Sequence, residues 1–225
     1  MARLIMADRT NPHFRRIRGY IALAVVLTLS IVKSAAALAA DSAKPDSVLE
    51  QATFAGGCFW CMQPAFEHIP GVVSTIVGYT GGDKPHPTYE EVSAGGTGHA
   101  ESIQVTFDPK KVSYPHLLDL FWRNVDPTTA DREFCDVGNQ YRSEIFYHGA
   151  EQEREAKESR AKLEKSKPFK DPIVTRIVPA GTFWPAEDYH QDYALKNPVR
   201  YRFYRYNCGR DQRLRELWGA LSGGH

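Results

Sequence analysis

The sequence predicts an α+β fold in which helices pack as a second layer on a mixed β-sheet. Three observations carry that reading. Beyond the first forty residues, strand-like and helix-like segments follow in the order strand–helix–strand, strand–helix–strand, helix–strand. That order matches a ferredoxin-like split βαβ core with additions. Glu101 to Phe107 alternates, with Ile103, Val105 and Phe107 on one face and Ser102, Gln104 and Thr106 on the other, as a strand requires. The remaining length, about 185 residues, suits one domain that buries a real core without disulfide staples. Long loops and an irregular C-terminal arm are expected to cover one end of this two-layer sandwich.

The elements follow in order. Val48 to Phe54 reads as a strand running into Gly56-Gly57, and Cys58 to His68 as a helix stopped by Pro70-Gly71. Val72 to Tyr79 is β-branched and apolar, a buried strand. Thr80 to Pro87 and Ala94 to Gly98 are turn-rich loops. Ser113 caps a helix reaching Asn124, with Leu117, Leu118, Phe121 and Trp122 inward. Asp126 to Gln140 is a long irregular segment, and such segments are often functional. Ser143 to His148 is a strand, and Glu151 to Lys165 a charged helix with Glu153–Lys157 and Glu158–Lys162 spaced i,i+4. Pro172 to Val178 is a further strand. An aromatic, irregular stretch then leads to Asn207-Cys208-Gly209 and a last short helix with Leu214, Leu217, Trp218 and Leu221 at helical spacing.

The N-terminus reads as a targeting segment. Arg15, Arg16 and Arg18 precede an apolar run from Tyr20 to Val32, too short to span a bilayer comfortably, and Ala37-Leu38-Ala39 places small residues where a signal peptidase reads. Residues 1–40 are therefore expected to be a signal peptide cleaved near Ala39 or Ala40. Residues 41–47 form a polar linker and 48–225 the domain. The protein is then exported, periplasmic or secreted; the rival reading is an uncleaved membrane anchor. The formal net charge of +1, with acids and bases interspersed, gives no support to nucleic acid or a membrane surface as the main partner. Cys58, Cys61, Cys135 and Cys208 are either two structural bridges or a redox set that makes and breaks one bridge.

Gly56-Gly57-Cys58-Phe59-Trp60-Cys61 puts a thiol at a helix N-terminus, where unpaired N–H groups and the helix dipole favour thiolate. Phe59 and Trp60 give it an apolar neighbourhood. Glu101 falls on the apolar face of its strand, where burial raises a carboxyl pKa. A reactive cysteine beside a small hydrophobic pocket follows from the residues alone.

Four segments, Gly56-Gly-Cys-Phe-Trp60, Thr88-Tyr-Glu-Glu-Val92, Gly98-His-Ala-Glu-Ser102 and Cys135-Asp-Val-Gly-Asn-Gln-Tyr-Arg-Ser143, together resemble the A-type peptide-methionine sulfoxide reductases. The resemblance runs from about Phe54 through the C-terminal arm. It implies reduction of the S-epimer of methionine sulfoxide, free or in proteins, by a monomer without bound metal or organic cofactor. The chemistry suits it. Thiolate attack on a sulfoxide sulfur needs the departing oxygen protonated or strongly hydrogen-bonded. Cys58 is then the nucleophile and Glu101 the general acid. Tyr89 and Tyr141 donate hydroxyls to the oxygen, and Asp136 orients a water or Tyr141. Phe59 and Trp60 wall the S-methyl group, and His99 is structural.

Attack leaves Cys58 as a sulfenic acid, which a second cysteine must condense with before an external dithiol, thioredoxin or thioredoxin-like, reduces the bridge. Cys208, in the C-terminal arm, is the first expectation. Cys61 and Cys135 are alternatives, and a relay through two of them is open. Rival classes are a general thiol–disulfide oxidoreductase built on Cys58-x-x-Cys61, a zinc module, and a peptidase pairing Cys58 with His99 or His190.

Overall fold

A computed structural model describes residues 48–222. The expected signal peptide and linker lie outside them. Six strands form one sheet: β1 (Glu50–Gly56), β2 (Val72–Thr80), β3 (Ala100–Phe107), β6 (Ser143–Tyr147), β7 (Arg176–Pro179) and β8 (Trp184–Pro185), in the order β7-β6-β1-β3-β2-β8. The inner four, β6-β1-β3-β2, pair antiparallel throughout and make the split βαβ arrangement. β7 runs parallel to β6, which makes the sheet mixed. A separate hairpin joins β4 (Arg132–Glu133) to β5 (Asp136–Val137).

Helix α1 (Phe59–Glu67) links β1 to β2, and α3 (Tyr114–Arg123) lies between β3 and the hairpin. Ser113 caps α3, its hydroxyl accepting the His116 N–H, and Pro115 sits in the first turn. These helices pack on one sheet face: Phe54, Ile103, Val105 and Phe107 meet Met62, Phe66, Leu117, Leu118 and Phe121 in the main core, closed by Leu214 and Trp218 from the C-terminus. Phe54 stacks against both Phe66 and Phe121 at 5.4 and 5.2 Å. Helix α4 (Ala150–Ser166) packs on α3, β6 and β7. Its Glu153–Lys157 pair forms, but Glu158 takes Arg154 instead of Lys162.

The structure corrects several expectations. The stretch up to Cys208 is not irregular. It folds as α5 (Tyr193–Lys196) and α6 (Pro198–Asn207), and the expected last helix follows as α7 (Arg210–Trp218). The apolar pattern of α6 hides it, because its buried residues are Tyr201 and Arg205 while Val199, Phe203 and Tyr206 face solvent. Thr88-Tyr-Glu-Glu is a short helix, α2 (Tyr89–Ser93), with Thr88 and Glu91 capping each other's backbone N–H. The 126–140 segment carries the β4–β5 hairpin, and the strand expected at 172–178 begins at Arg176.

Candidate active site

β1 ends in Gly56 and Gly57, where α1 turns away from the sheet. Gly57 has φ +77°, and a Cβ there would lie 2.5 Å from the Glu133 Cβ. The turn therefore needs glycine twice over, for conformation and for close approach. Cys58 is the N-cap residue of α1, and the Cys61 N–H returns to the Cys58 carbonyl at 3.0 Å. β3 runs antiparallel to β2 with Glu101 opposite Tyr79, which sets the Glu101 carboxyl beneath the start of α1. There Glu101 Oε2 accepts the Phe59 N–H at 3.1 Å.

A cavity of about 70 Å³ opens at this point, lined by Cys58, Phe59, Trp60, Tyr89, Glu101, Asp136, Tyr141 and Tyr204. Seven of the eight are the residues singled out from the sequence. Tyr89 comes from the first turn of α2, held by its own N–H donating to Glu187 Oε1 at 2.9 Å. The other oxygen of Glu187 accepts the Tyr79 hydroxyl at 2.9 Å. Asp136 comes from β5, and Tyr141 from a 3-10 turn, Asn139–Tyr141. Among the described residues, neither the Tyr89 nor the Tyr141 hydroxyl makes a hydrogen bond, so both phenols are available to a ligand. Trp60 is fixed on three sides. It stacks on Tyr193 at 3.7 Å, meets Tyr204 edge-on, and donates its indole N–H to His190 Nδ1 at 3.0 Å.

Tyr204 was not foreseen. Its hydroxyl donates to Asp136 Oδ2, so Asp136 takes Tyr204 rather than Tyr141 as its partner. Only the helical reading of 198–207 points Tyr204 at the site. Arg210 was also missed. Its guanidinium, 1 % exposed, donates to the Gly56 carbonyl at 3.3 Å and the Asn124 carbonyl at 2.6 Å.

The electrostatics bear out one expectation and correct another. Burial raises Glu101 to about 8; the charges of Asp136 and Cys61 add to this, and the Phe59 N–H opposes it. Cys58, expected to be an activated thiolate, is pushed well up by burial, then by the hydrogen bond and charge of Cys61, then by Glu101 and Asp136. Its partner moves the other way. Cys61 is lowered to about 7, chiefly because the Cys58 thiol donates to it, with Arg210 and Arg205 helping against burial. The helix N-terminus thus holds a thiol pair whose shared negative charge favours Cys61. Tyr89 is raised to about 12 by burial and by Glu101, which keeps its hydroxyl a donor.

Cys135 and Cys208 are joined in a disulfide, and Cys58 and Cys61 are free. Cys208, the first expectation for resolving Cys58, is thus paired with Cys135 in this state. Cys135 is exposed, unlike the buried inert residue that was its alternative reading. With Asp136, these two sulfurs make the one close metal-type cluster among the described residues, but sulfurs bonded to each other offer no thiolate to a metal. His99 is engaged by the Gly82 N–H and the Lys84 carbonyl, and His190 by Trp60. Neither hydrogen-bonds Cys58, which weighs against a Cys–His peptidase.

The sequence profile of a family described as peptide methionine sulfoxide reductase matches residues 50–222. A peptide methionine sulfoxide reductase MsrA/MsrB of Vibrio cholerae is 50% identical over 201 residues, 89% of this chain; the chain spans only about half of that longer relative, 53%. An MsrA of Bacillus licheniformis is 52% identical over 76% of this chain and 94% of its own length. Among solved structures, methionine sulfoxide reductase A of Corynebacterium diphtheriae superposes with a TM-score of 0.62 at 36% identity, covering 69% of this chain and 78% of that one.

Proposed function

The chain belongs to the peptide methionine sulfoxide reductase family and is an MsrA-type enzyme, and we propose that the cavity at Cys58 is where a methylsulfinyl group is reduced. The observation that carries this reading is the convergence of one thiol pair, one protonated carboxyl, two unengaged phenols and an indole wall on a single small cavity. The S-methyl group packs on Phe59 and Trp60. The sulfoxide oxygen takes hydrogen bonds from Tyr89 and Tyr141 and the proton of Glu101. Cys58 attacks the sulfur as thiolate. The oxygen passes to Cys58 as the Glu101 proton reaches it, the S=O bond breaks, and the products are methionine and a Cys58 sulfenic acid. A thiol from the set Cys61, Cys135 and Cys208 then condenses with the sulfenic acid, releasing water and forming a disulfide.

Cys58 is high in the resting site, and the acid's protonated state relieves part of that. Below about 8 Glu101 carries no charge, so one of the groups that push Cys58 up is silent. Asp136 remains, screened by the Tyr204 hydroxyl and by Arg210.

The finer assignments are these. The S-epimer is the substrate, free or in proteins. An external dithiol of thioredoxin type is the donor. Residues 1–40 are removed as a signal peptide, 41–47 form a linker, and 48–225 work as one catalytic domain. The exported, monomeric enzyme repairs oxidised exported proteins. The decisive assay presents separated epimers of N-acetylmethionine sulfoxide to the wild type and to Cys58→Ser. Reduction of the S-epimer alone, abolished in Cys58→Ser, is expected; activity retained in that variant removes Cys58 from the chemistry. The mass of the mature N-terminus in a fractionated cell tests export.

A further inference from the structure

We propose that Arg142 is a positioning residue for the reduction: its guanidinium locks the turn that carries Tyr141 to the strand that carries Glu101, and so sets the spacing of phenol and acid around the sulfoxide oxygen. The inference rests on the cavity at Cys58 being where that oxygen binds.

Tyr141 cannot aim itself. It lines the cavity, but its hydroxyl has no hydrogen bond among the described residues, so its direction follows from its backbone. That backbone is one short 3-10 turn, Asn139–Tyr141, entered through Gly138 at φ +137° and without a side-chain cap. Such a turn has poorer hydrogen-bond geometry than an α-helix and needs outside support. The two residues flanking Tyr141 fasten it to the other two parts of the site. Gln140 Nε2 donates at 3.0 Å to the carbonyl of Ser93, the last residue of α2, the helix that begins with Tyr89. Arg142 reaches the other way.

The Arg142 side chain is buried, 5% exposed. Its Nη1 donates to the Asn139 carbonyl at 2.9 Å and to Asn139 Oδ1 at 2.8 Å, at the head of the turn. Its Nη2 donates at 3.2 Å to the carbonyl of Gly98, just before β3 and Glu101. Its Nε donates to Glu144 Oε2 on β6 at 2.7 Å, and Arg176 on β7 pairs with Glu144 Oε1 at 2.9 Å. The end of β2 leaves room for the group: Gly81 has φ +84°, and a Cβ there would lie 2.7 Å from Arg142 Nη2. One planar group thus spans the Tyr141 turn and the entry to β3, and a carboxylate anchored in the sheet fixes its plane. Lysine in that place would keep the charge beside Glu144, but one ammonium cannot serve turn and strand in the directions the fork does. Arg142 does not line the cavity, so it acts through Tyr141 and Glu101.

The test is a double-mutant cycle in single turnover, with reduced protein, saturating N-acetylmethionine sulfoxide and methionine counted per chain. Arg142→Lys should lose roughly 10²-fold in rate, the scale on which a small misplacement of a reacting group is felt. The half-saturating concentration should stay within about threefold, because the Phe59 and Trp60 wall for the methyl group is not held by Arg142. Tyr141→Phe should cost far less in the Arg142→Lys protein than in the wild type, since a misaimed hydroxyl has little left to lose. Tyr89→Phe, whose backbone is held by Glu187, should cost the same in both. Should Arg142→Lys not fold, Asn139→Ala takes its place in the cycle, removing one acceptor of the guanidinium and leaving the others. A Tyr141→Phe cost that is equal in both backgrounds, or an Arg142→Lys protein at the wild-type rate, makes Arg142 a part of the fold alone and overturns the proposal. A Tyr141→Phe protein as fast as the wild type, or a wild type that forms no methionine, instead strikes the reading of the cavity on which the proposal rests.

Discussion

Glu101 Oε2 accepts the backbone N–H of Phe59 at 3.1 Å, tying strand β3 to the first residue of helix α1. That single bond fixes where the acid's proton sits. An oxygen already accepting an N–H is the poorer site for a proton, so the neutral carboxyl carries it on Oε1, which has no hydrogen-bond partner among the described residues. The side chain lines the cavity, so this O–H is the one the proposed reaction would draw on.

The first prediction follows from the sign of the Glu101 shift. A carboxyl raised to about 8 is protonated below that pH and ionised above it. The rate of methionine formation in a single turnover should therefore fall as pH rises through about 8. Glu101→Gln should lose roughly 10²–10⁴-fold at neutral pH, the usual worth of a positioned acid. It should also lose the alkaline limb, since glutamine does not titrate. A variant near the wild-type rate, with the limb intact, assigns the proton to another group.

Cys58 gives a second test, independent of substrate. Charges on Glu101 and Asp136 both push its thiol up. Asp136→Asn removes one of them, so Cys58 should ionise at lower pH. The rate of its alkylation by iodoacetamide, followed by peptide mass, should rise at a lower pH than in the wild type. An unchanged profile means that Asp136 is not felt at the sulfur.

Tyr204 gives a third. Its hydroxyl is the hydrogen bond that opposes the rise of the Asp136 pKa caused by burial. A bond to a charged partner is worth about 1.5–3 kcal/mol. Tyr204→Phe should therefore raise the Asp136 pKa, so that its carboxyl takes a proton at higher pH than in the wild type. The carboxyl's titration, read by isotope-edited infrared spectroscopy, separates this from a loss of folding.

Much of this site was legible in the sequence, and what was missed shares a cause. Cys58, Phe59, Trp60, Glu101, Tyr89, Asp136 and Tyr141 lie in compact strings, and alternation placed Glu101 on the core face of its strand. Tyr204 and Arg210 lie in a segment where the usual polarity is inverted: Arg205 and Arg210 are buried while Val199 and Phe203 are exposed. Hydrophobic periodicity cannot find a helix whose inner face is made of arginine and tyrosine. The thiol pair was misjudged for another reason. A helix dipole favours charge on Cys58, but Cys61, one turn on, takes the hydrogen bond and the charge. In the core the signal was ordinary, and the ferredoxin-like order survived two added edge strands, one of which, β8, is too short to show a pattern.

Arg210 leads to a fourth prediction. It holds the Gly56 and Asn124 carbonyls, lies beside the buried Glu133 carboxyl, and stacks 4.5 Å over Phe134. Arg210→Met keeps much of the volume but leaves two carbonyls without a donor. Removing one member of a buried polar network costs about 3–5 kcal/mol. Urea denaturation should show a loss of that size, with the unfolding slope unchanged. A loss under about 1 kcal/mol means that water replaces the guanidinium there.

The last prediction concerns Gly57. Its φ of +77° disfavours any side chain, and a Cβ would press on the Glu133 Cβ at 2.5 Å. Strain of this kind costs about 1–3 kcal/mol before the clash is counted. The Glu133 side chain cannot swing away cheaply, because its Oε2 accepts the Asp126 N–H at 3.0 Å. Gly57→Ala must therefore move the turn itself, and Cys58 and the Phe59 N–H move with it. Stability should fall by a few kcal/mol. The remaining folded protein should react more slowly than the wild type, because the Phe59–Glu101 bond that aims the acid has been stretched. Single-turnover rates, normalised to the fraction folded by near-ultraviolet circular dichroism, separate the two effects. A normalised rate equal to that of the wild type shows that the glycine serves the fold alone and that the aim of Glu101 does not depend on this turn.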